Sequence, residues 1–223
     1  MTLVSVGGGG LTGMLGGRFI VLDGPDGCGK STQMRLLAQW LGEQGVSTAS
    51  FRDPGTTAIG EKIREILLSP AHDAMTTPTE VLLYMAARAQ LWAEEIAPAL
   101  QQGRCVLLDR WLSSTCAYQG HAGQFGIEKV IAIANDSLDR VWPDLTIILD
   151  VDLATAAGRL NRELDRMEQK GDSYHWKVRE GFLKLAEGQG DFVVIDATAA
   201  VDAVHEQVVA AVRRIGASPS QRA

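Results

Sequence analysis

A run of eight residues near the N-terminus has the composition of a loop that binds phosphate. The run Gly24-Pro25-Asp26-Gly27-Cys28-Gly29-Lys30-Ser31 matches the pattern GxxxxGK[ST] at every fixed position. Glycines let the backbone curl so that its N–H groups point at an anion, and the following helix directs its positive end to the same place. Lys30 would add charge beside the β- and γ-phosphates of a nucleoside triphosphate, and the Ser31 hydroxyl would bind Mg²⁺.

The surrounding sequence favours a nucleotide-binding loop over a glycine-rich turn that arose by chance. The run follows an apolar segment at residues 18–23 and precedes a helical pattern at residues 30–44, which is the context that the motif requires. A helix start would favour a thiolate at Cys28, but we interpret Cys28 as a small loop residue. We predict that nine residues bind ATP: Gly24, Pro25, Asp26, Gly27, Cys28, Gly29, Lys30, Ser31 and Thr32.

Charged side chains also stand at the ends of two other strands. Asp109 ends the apolar run RCVLLD, where an unpaired charge would be costly, so we predict that it organises Mg²⁺ together with Ser31. Capping of the next helix is the alternative. Arg110 follows and can grip a phosphate through two donors of fixed geometry, unless it forms a surface ion pair. Arg52 ends the second strand, and by the same reasoning it can reach the phosphate of an acceptor substrate.

Other residues have the chemistry to bind a base and a sugar. Tyr84 and Arg88 share one helix face, which suits a flat base with an exposed carbonyl, although such a pair can equally well pack on a core. Asp26 puts a carboxylate inside a phosphate loop, and this electrostatic cost indicates a purpose, unless Asp26 is an exposed loop acid. The helix after Arg110 carries a polar face made of Ser114, Thr115, Tyr118 and Gln119.

The composition argues against several classes of partner. The 223 residues carry a formal net charge of −6, with 46% hydrophobic and 22% charged residues. An acidic chain lacks the clustered Lys and Arg that nucleic acids and anionic membranes require, so we expect neither as a partner. No apolar run reaches the roughly 18 residues that span a bilayer. The three cysteines form no CxxC pair, which fits a reducing cytoplasm.

Five apolar segments alternate with helical patterns and predict the fold. The segments lie at residues 18–23, 46–52, 104–109, 145–151 and 192–195. Because four of them are apolar almost throughout, they indicate an α/β protein with a five-stranded parallel sheet flanked by helices on both faces. Ligands bind beyond the carboxyl ends of the strands in such sheets, where the charged residues above stand. Among the helices, we expect one at 79–102, bent near Pro98, and one at 153–163.

The two ends of the sequence differ from this alternating pattern. Residues 1–17 are rich in glycine and lack the cationic start of a signal peptide, so we expect a flexible leader. Translation from Met14 is a further hypothesis. We expect one domain over residues 18–215 and a flexible tail over residues 216–223.

Four separated motifs together resemble the thymidylate kinase family, from residue 18 to about residue 198. They are the strand and loop FIVLDGPDGCGKST, the segment FRDPGTTAIGEKIREILL, the helix LLYMAARAQLW and the string DRWLSSTCAYQG; ELDRMEQ at 163–169 is similar to a lid. The resemblance implies the P-loop kinase fold and a nucleoside monophosphate kinase that forms a homodimer. Its reaction would transfer the γ-phosphate of ATP to dTMP with Mg²⁺, giving ADP and dTDP for dTTP synthesis.

The resemblance also implies a role for each candidate residue in binding dTMP. Arg110 and Arg52 would hold the phosphate of dTMP, and Asp26 would contact the 3′-hydroxyl of the sugar and Arg110. Tyr84 would stack on thymine, and Arg88 would donate a hydrogen bond to it. The remaining residues would surround the base and the sugar, with Tyr118 close to the 2′ position: Ser114, Thr115, Tyr118 and Gln119.

A lid is expected to supply positive charge that the phosphate loop lacks. Some thymidylate kinases carry an arginine in the loop, but the corresponding residue here is Gly27. Phosphoryl transfer needs positive charge on the transferring group. Arg159, Arg162 and Arg166 have the spacing of one helix side, so a lid over about residues 159–172 would act through Arg159 and Arg162, as in the bacterial type of the family. A solvated helix with salt bridges is the alternative.

Three departures from the family pattern leave the substrate open to question. Asp53 stands where the family has Glu, Thr56 where it has Gly, and Trp111 where a smaller ring is common. The nearest alternative is a kinase for another nucleotide or deoxynucleoside. A second alternative is a nucleotide-binding paralogue without catalysis.

Overall fold

A five-stranded parallel sheet forms the centre of the molecule, for which the computed structural model describes residues 10–160 and 163–216. The strands are β1 (Phe19–Asp23), β2 (Thr48–Arg52), β3 (Cys105–Asp109), β4 (Leu145–Asp150) and β5 (Phe192–Asp196). Every pairing is parallel, and the strand order is β2-β3-β1-β4-β5. The predicted fold class is confirmed, and the five strands lie close to their expected bounds.

Helices cover both faces of the sheet. They are α1 (Leu11–Leu15), α2 (Lys30–Glu43), α3 (Ala58–Leu68), α4 (Thr77–Leu91), α5 (Ala97–Gln101), α6 (Leu112–Thr115), α7 (Ile127–Ser137), α8 (Leu153–Gly158), α9 (Asp172–Ala186) and α10 (Val201–Gly216). A short 3₁₀ helix, Pro70–His72, follows α3. In the described part of the chain, no helix is both long and apolar enough to cross a bilayer.

Two helices differ from the sequence expectation. The helix expected at 79–102 consists of α4 and α5 joined by π-helical turns at Trp92–Ile96, so it departs from regular α-helix before Pro98. The helix expected at 153–163 is wrong in its second half, because α8 ends at Gly158. Glycine is a poor helix former, and the apolar spacing of the sequence did not reveal this stop. The chain after Gly158 is therefore not a continuation of α8.

The central strand β1 divides the core into two layers. Successive residues of a strand point to opposite faces of the sheet. Ile20 and Leu22 belong to the cluster that packs α2 and α10 on one face, whereas Phe19 and Val21 belong to the cluster under α4, α5 and α7 on the other. All four side chains are fully buried. Burial on both faces explains why β1 is apolar at each of these positions.

The segment before β1 packs into the protein, so the expected flexible leader is wrong for residues 10–17. Helix α1 buries Leu15 completely in the cluster that includes residues of α2 and α10. The Arg18 guanidinium donates to Met14 O at 3.3 Å, to Asp144 Oδ1 at 3.1 Å and to Ile215 O at 3.2 Å. The high glycine content concealed a short helix whose apolar side meets the core.

The remaining predictions for the chain ends are not tested by this structure. Residues 1–9 and 217–223 lie outside the described residues, and Gly216 is the last residue of α10. The translation start at Met14 stays a hypothesis.

Replacement of Leu15 by Ala should destabilise the fold if α1 belongs to the core. Removing a fully buried leucine side chain costs about 2–5 kcal/mol of unfolding free energy. Met14→Ala is the matched control, because Met14 lies on the same helix and is 41% exposed; surface changes of this kind stay within about 0.5 kcal/mol. Urea unfolding measures both variants. Equal, small effects of the two changes would show that α1 does not contribute to the core.

Candidate active site

The loop after β1 has a backbone that only glycine adopts readily. Gly24 and Gly27 have φ angles of +136° and +76°, in the region that L-residues avoid. A Cβ added to Gly24 would lie 2.4 Å from Leu149 O of β4, and one added to Gly27 would lie 2.3 Å from Ala156 O of α8. The loop is therefore packed against β4 and α8 too closely for a side chain at either position.

Lys30 begins α2 and turns back over the loop. Its Nζ donates to Gly24 O at 3.1 Å and to Pro25 O at 2.8 Å. Cys28 is buried beside it, and burial, the largest influence, raises the pKa of the Cys28 thiol. This shift disfavours a thiolate, in keeping with our interpretation of Cys28 as a small loop residue.

A cleft of about 510 Å³ opens above the loop and the carboxyl ends of the strands. It brings together these predicted residues: Asp26, Gly27, Gly29, Lys30, Ser31, Thr32, Arg52, Asp109, Arg110 and Arg159. Three of the nine residues predicted to bind ATP, Gly24, Pro25 and Cys28, do not line this cleft. Gly24 and Cys28 instead shape the loop from behind.

The predicted metal residues Ser31 and Asp109 both line this cleft. Asp109 Oδ1 is buried and has no hydrogen-bond partner within the described residues. One carboxylate and one hydroxyl are hard oxygen donors of the kind that Mg²⁺ takes alongside nucleotide phosphates and water. The described part of the chain holds no group of three or more His, Cys, Asp or Glu side chains that could hold a metal. The residues present therefore fit Mg²⁺ held jointly with a nucleotide.

Asp23, at the end of β1, is a central residue of the site that the sequence reasoning missed. It is fully buried and accepts hydrogen bonds from Gly24 N at 2.9 Å, Ser113 Oγ at 2.6 Å and Ser114 Oγ at 2.7 Å. Arg110 Nη1 lies 3.4 Å from its Oδ1. The signal was available, because Asp23, like Asp109, ends an apolar strand. Asp23 thus joins the phosphate loop to the start of α6, the helix that follows Arg110.

Arg110 is fixed in one position by its neighbours. Its φ of +67° is unusual for a residue with a side chain and persists only where the surroundings determine it. Nη1 donates to Gly24 O at 3.0 Å and to Ser114 Oγ at 2.9 Å, and Nη2 donates to Asp26 Oδ1. The guanidinium also lies over the Tyr118 ring, 5.4 Å from its centre. Its alternative role as a surface ion pair does not fit a side chain that is only 17% exposed.

Asp26 is a partly buried partner in this network, with a side chain that is 24% exposed, and it is not an exposed loop acid. Its Oδ2 accepts the Tyr118 hydroxyl at 2.7 Å, and its Oδ1 accepts Arg110. Burial by itself would raise the pKa of Asp26, but Arg110 and Lys30, with the Tyr118 hydrogen bond, lower that pKa well below its usual range. Asp26 is therefore ionised at neutral pH.

A second pocket lies beside the cleft, between α4 and α6. Its walls include eight residues predicted to bind dTMP: Asp26, Tyr84, Arg88, Arg110, Ser114, Thr115, Tyr118 and Gln119. They also include six residues that were not predicted: Asp53, Pro54, Arg64, Leu68, Asp165 and Met167. Arg52 is absent from these walls and lines the cleft instead. Cleft and pocket share Asp26, Asp53, Arg64 and Arg110, so they meet at these four side chains.

Arg88 is both a pocket wall and part of a buried ion pair. Its side chain is 1% exposed, and Nε donates to Asp53 Oδ2 at 2.7 Å. Nη2 donates to Trp111 O at 3.2 Å and to Thr115 Oγ1 at 3.0 Å, and the guanidinium lies 5.2 Å from the centre of the Trp111 ring. Two departures from the family pattern, Asp53 and Trp111, are thus the residues that hold Arg88.

Arg64 is a second cation that the sequence reasoning missed. It lines both cleft and pocket, donates to Pro54 O at 3.1 Å, and has its pKa lowered by burial and then by nearby Arg52. Arg52 is half exposed, and its Nη2 binds both oxygens of Glu61, at 2.9 and 3.1 Å. Glu61 and Arg64 are three residues apart on α3, so helix spacing from Glu61 could have indicated Arg64.

Arg159 and Arg166 do not share a helix face, which corrects the sequence expectation for these two arginines. Arg159 follows the end of α8, lines the cleft and donates to Ala197 O at 2.9 Å. Arg162 lies outside the described residues. Arg166 is 5% exposed and donates through Nη1 to Glu80 Oε1 at 2.6 Å and through Nε to Leu67 O at 2.8 Å. Arg166 is held by Glu80 and is not directed at the phosphate cleft.

Comparisons with known proteins agree with this geometry. A family model described as Thymidylate kinase matches residues 22–208. The thymidylate kinase of Geobacillus sp. (strain WCH70) is 43% identical over 201 residues, which are 88% of this chain and 96% of the relative. That of Thermoanaerobacter sp. (strain X514) is 42% identical over 200 residues, 89% of this chain and 98% of the relative. The crystal structure of thymidylate kinase from Ehrlichia chaffeensis superposes with a TM-score of 0.72 at 29% identity, covering 89% of this chain and 99% of that one.

Asp26→Asn should destabilise the protein in a pH-dependent manner. A carboxylate whose pKa is lowered by folding stabilises the fold above its unfolded-state pKa of about 3.9, and loses this effect as pH falls toward the folded-state pKa. We expect the gap in unfolding free energy between wild type and Asp26→Asn to be largest above about pH 5 and to shrink below about pH 4. Urea unfolding across this range measures the gap. Asp136→Asn, an exposed change on α7, is the control; a gap for Asp26→Asn that stays constant with pH would contradict the assignment.

Proposed function

The chain belongs to the thymidylate kinase family and is a phosphotransferase that uses ATP to phosphorylate dTMP, and we propose that the reaction takes place where its cleft and pocket meet. The observation that supports this location is the sharing of Asp26, Asp53, Arg64 and Arg110 by the two cavities. A donor phosphate in the cleft and an acceptor phosphate from the pocket would approach each other there. The products are ADP and dTDP, a precursor for dTTP synthesis.

On the donor side, the loop holds the phosphates of ATP. Its backbone N–H groups and the start of α2 face the anion, and Lys30 moves from the loop carbonyls to the β- and γ-phosphates. Ser31 and Asp109 would hold Mg²⁺. The ion would offset the negative charge that the phosphates carry during transfer.

On the acceptor side, Arg110, Arg52 and Arg64 bind the phosphate of dTMP. Asp26 binds the 3′-hydroxyl of the sugar, and Tyr118 stands close to the 2′ position, where it disfavours a ribose hydroxyl. Tyr84 and Arg88 bind the base, together with Ser114, Thr115 and Gln119. The acceptor phosphate oxygen is already ionised, so the residues need only to align it for attack, and no general base is required.

The lid supplies the cation that the phosphate loop cannot hold. A side chain at position 27 would collide with Ala156 O, so an arginine cannot occupy that position without a change in the loop. Arg159 lines the cleft, and with Arg162 it stabilises the charge on the transferring group. Arg166 has no part in this, because Glu80 holds it.

The protein works as a cytoplasmic homodimer. Its three cysteines are free and buried, as expected for a reducing compartment. Helices α3 and α4 pack together and expose Ile59, Ile66 and Leu82. Exposed large apolar side chains on adjoining helices suit contact with a second copy of the chain.

The choice of acceptor is tested by measuring ADP formation with dTMP, dUMP, CMP, GMP and thymidine side by side. We expect dTMP to give the highest kcat/KM and thymidine to give no turnover, because the arginines require a phosphate. A Lys30→Ala preparation controls for contaminating kinases. Activity on thymidine but not on dTMP would overturn the acceptor, and ATP binding without turnover on any acceptor would favour a non-catalytic protein.

Arg159→Ala and Arg162→Ala should separate the role of the lid in phosphoryl transfer from the role of the acceptor site in binding dTMP. Loss of a cation that acts only on the transition state lowers kcat by about 10²–10³, while the KM for dTMP changes far less. Steady-state kinetics with dTMP varied at saturating ATP measure the two constants. Arg214→Ala, an exposed change near the end of α10, should leave both constants unchanged. An unaltered kcat in both lid variants would exclude this role.

A further inference from the structure

A buried carboxylate behind the acceptor pocket contacts two separate parts of the protein. Glu80, on α4, is 1% exposed. Its Oε2 accepts a hydrogen bond from Gln119 Nε2 at 2.8 Å. Its Oε1 accepts from Arg166 Nη1 at 2.6 Å and from Lys170 Nζ at 3.3 Å. Glu80 itself is not among the residues that line the pocket, whereas Gln119 is.

The hydrogen bond to Glu80 determines the orientation of the Gln119 amide. An ionised carboxylate only accepts hydrogen bonds, so the amide nitrogen of Gln119 must face Glu80. One N–H of that nitrogen is then committed, and the other N–H remains beside the amide oxygen. Gln119 is 1% exposed, which leaves it little room to turn. Its amide therefore has one fixed order of donor and acceptor.

This order suits one class of pyrimidine. Thymine and uracil present a carbonyl oxygen next to a ring N–H, so an amide oxygen and an amide N–H can pair with both groups at once. Cytosine presents an amino group next to a ring nitrogen that accepts, which is the reverse order. An amide that could rotate freely would pair with either base. An amide held in one orientation pairs well only with a base that presents the complementary order of acceptor and donor.

We propose that Glu80 is a positioning residue that fixes the Gln119 amide for a 4-oxopyrimidine and thereby excludes cytosine from the acceptor pocket. This inference deepens the proposed function and rests on the binding of a pyrimidine nucleotide in that pocket. Glu80 contacts no substrate, and its effect on the base passes through Gln119. The discrimination is made in the bound complex and does not depend on the phosphoryl-transfer step.

The opposite side of Glu80 is held by the segment at residues 163–171. A buried carboxylate is costly without positive partners, and Arg166 and Lys170 provide them. Arg166 also donates through Nε to Leu67 O, and its backbone N–H donates to Leu68 O at the end of α3. Asp165 and Met167 line the pocket beside it. This part of the expected lid therefore forms a fixed wall of the acceptor site and also sets the position of Glu80.

The experiment compares dTMP with dCMP in Glu80→Gln, Glu80→Asp and the wild type. A glutamine at position 80 keeps the volume but can direct an N–H at Gln119, so that the Gln119 amide turns over. An aspartate keeps the charge for Arg166 and Lys170 but draws its oxygen away from Gln119. We expect the preference for dTMP over dCMP, as a ratio of dissociation constants, to fall at least about tenfold in Glu80→Gln and less in Glu80→Asp. The kcat at saturating dTMP should change little.

Calorimetric binding of dTMP and dCMP to the full-length protein gives these ratios independently of turnover. Glu65→Gln, an exposed change on α3, is the matched control and should keep the wild-type ratio. In a Gln119→Ala background, Glu80→Gln should cause no further loss of preference. Thermal unfolding identifies the variants that fold. If Glu80→Gln does not fold, Glu80→Asp tests the inference.

A failure of this inference is distinguishable from a failure of the proposed function. If the wild type binds dTMP in preference to dCMP and the folded Glu80 variants keep that preference, the inference is wrong. Additive losses in the Gln119→Ala background would also overturn it, because Glu80 would then act by another route. If the wild type neither binds nor phosphorylates dTMP, the proposed function fails instead.

Discussion

The pairing of Arg110 with Asp23 and Asp26 is the interaction on which the rest of the site depends. Asp23 ends β1, Asp26 lies in the phosphate loop and Arg110 follows β3, so three segments meet through their charges. Asp23 is the fully buried member, and loss of its positive partner would leave an uncompensated buried charge, at a cost of about 3–5 kcal/mol. The strained backbone of Arg110 is tolerated because these contacts determine it. Donor and acceptor sites are therefore built around one ionic centre.

The sequence predicted the sheet and the edge at which ligands bind, because apolar strands and a glycine-rich loop are local signals. It also predicted most of the residues that line the two cavities, through the loop motif, the strand ends and the family resemblance. It missed Asp23 and Arg64, although a strand end and a helix spacing were available as local signals. It missed the partner of Arg166 for another reason, because a side chain's partner can lie far along the chain. Glu80 and Arg166 are 86 residues apart and still form a hydrogen bond of 2.6 Å. No periodicity within either segment reveals that contact.

The arginines after β4 show how burial changes the role of a charge. Spacing alone assigned Arg159, Arg162 and Arg166 to one helix face, whereas α8 ends at Gly158. Beyond that point, the side chains of Arg159 and Arg166 lie in different environments. Arg159 reaches the cleft, but Arg166 enters the interior and pairs with Glu80. Arginine thus lines a solvent-accessible site in one case and forms a buried ion pair in the other.

Hydrogen bonds from the Arg18 side chain bring the first and last described helices together. Arg18 stands just before β1, at the amino edge of the sheet, and it joins Met14 of α1 to Ile215 of α10. The nucleotide cleft lies at the opposite, carboxyl edge. Met14 and Ile215 therefore lie near each other on the side of the molecule that faces away from the cleft. Attachment through an exposed side chain on this side, such as that of Met14, would allow immobilisation with the cleft facing solution.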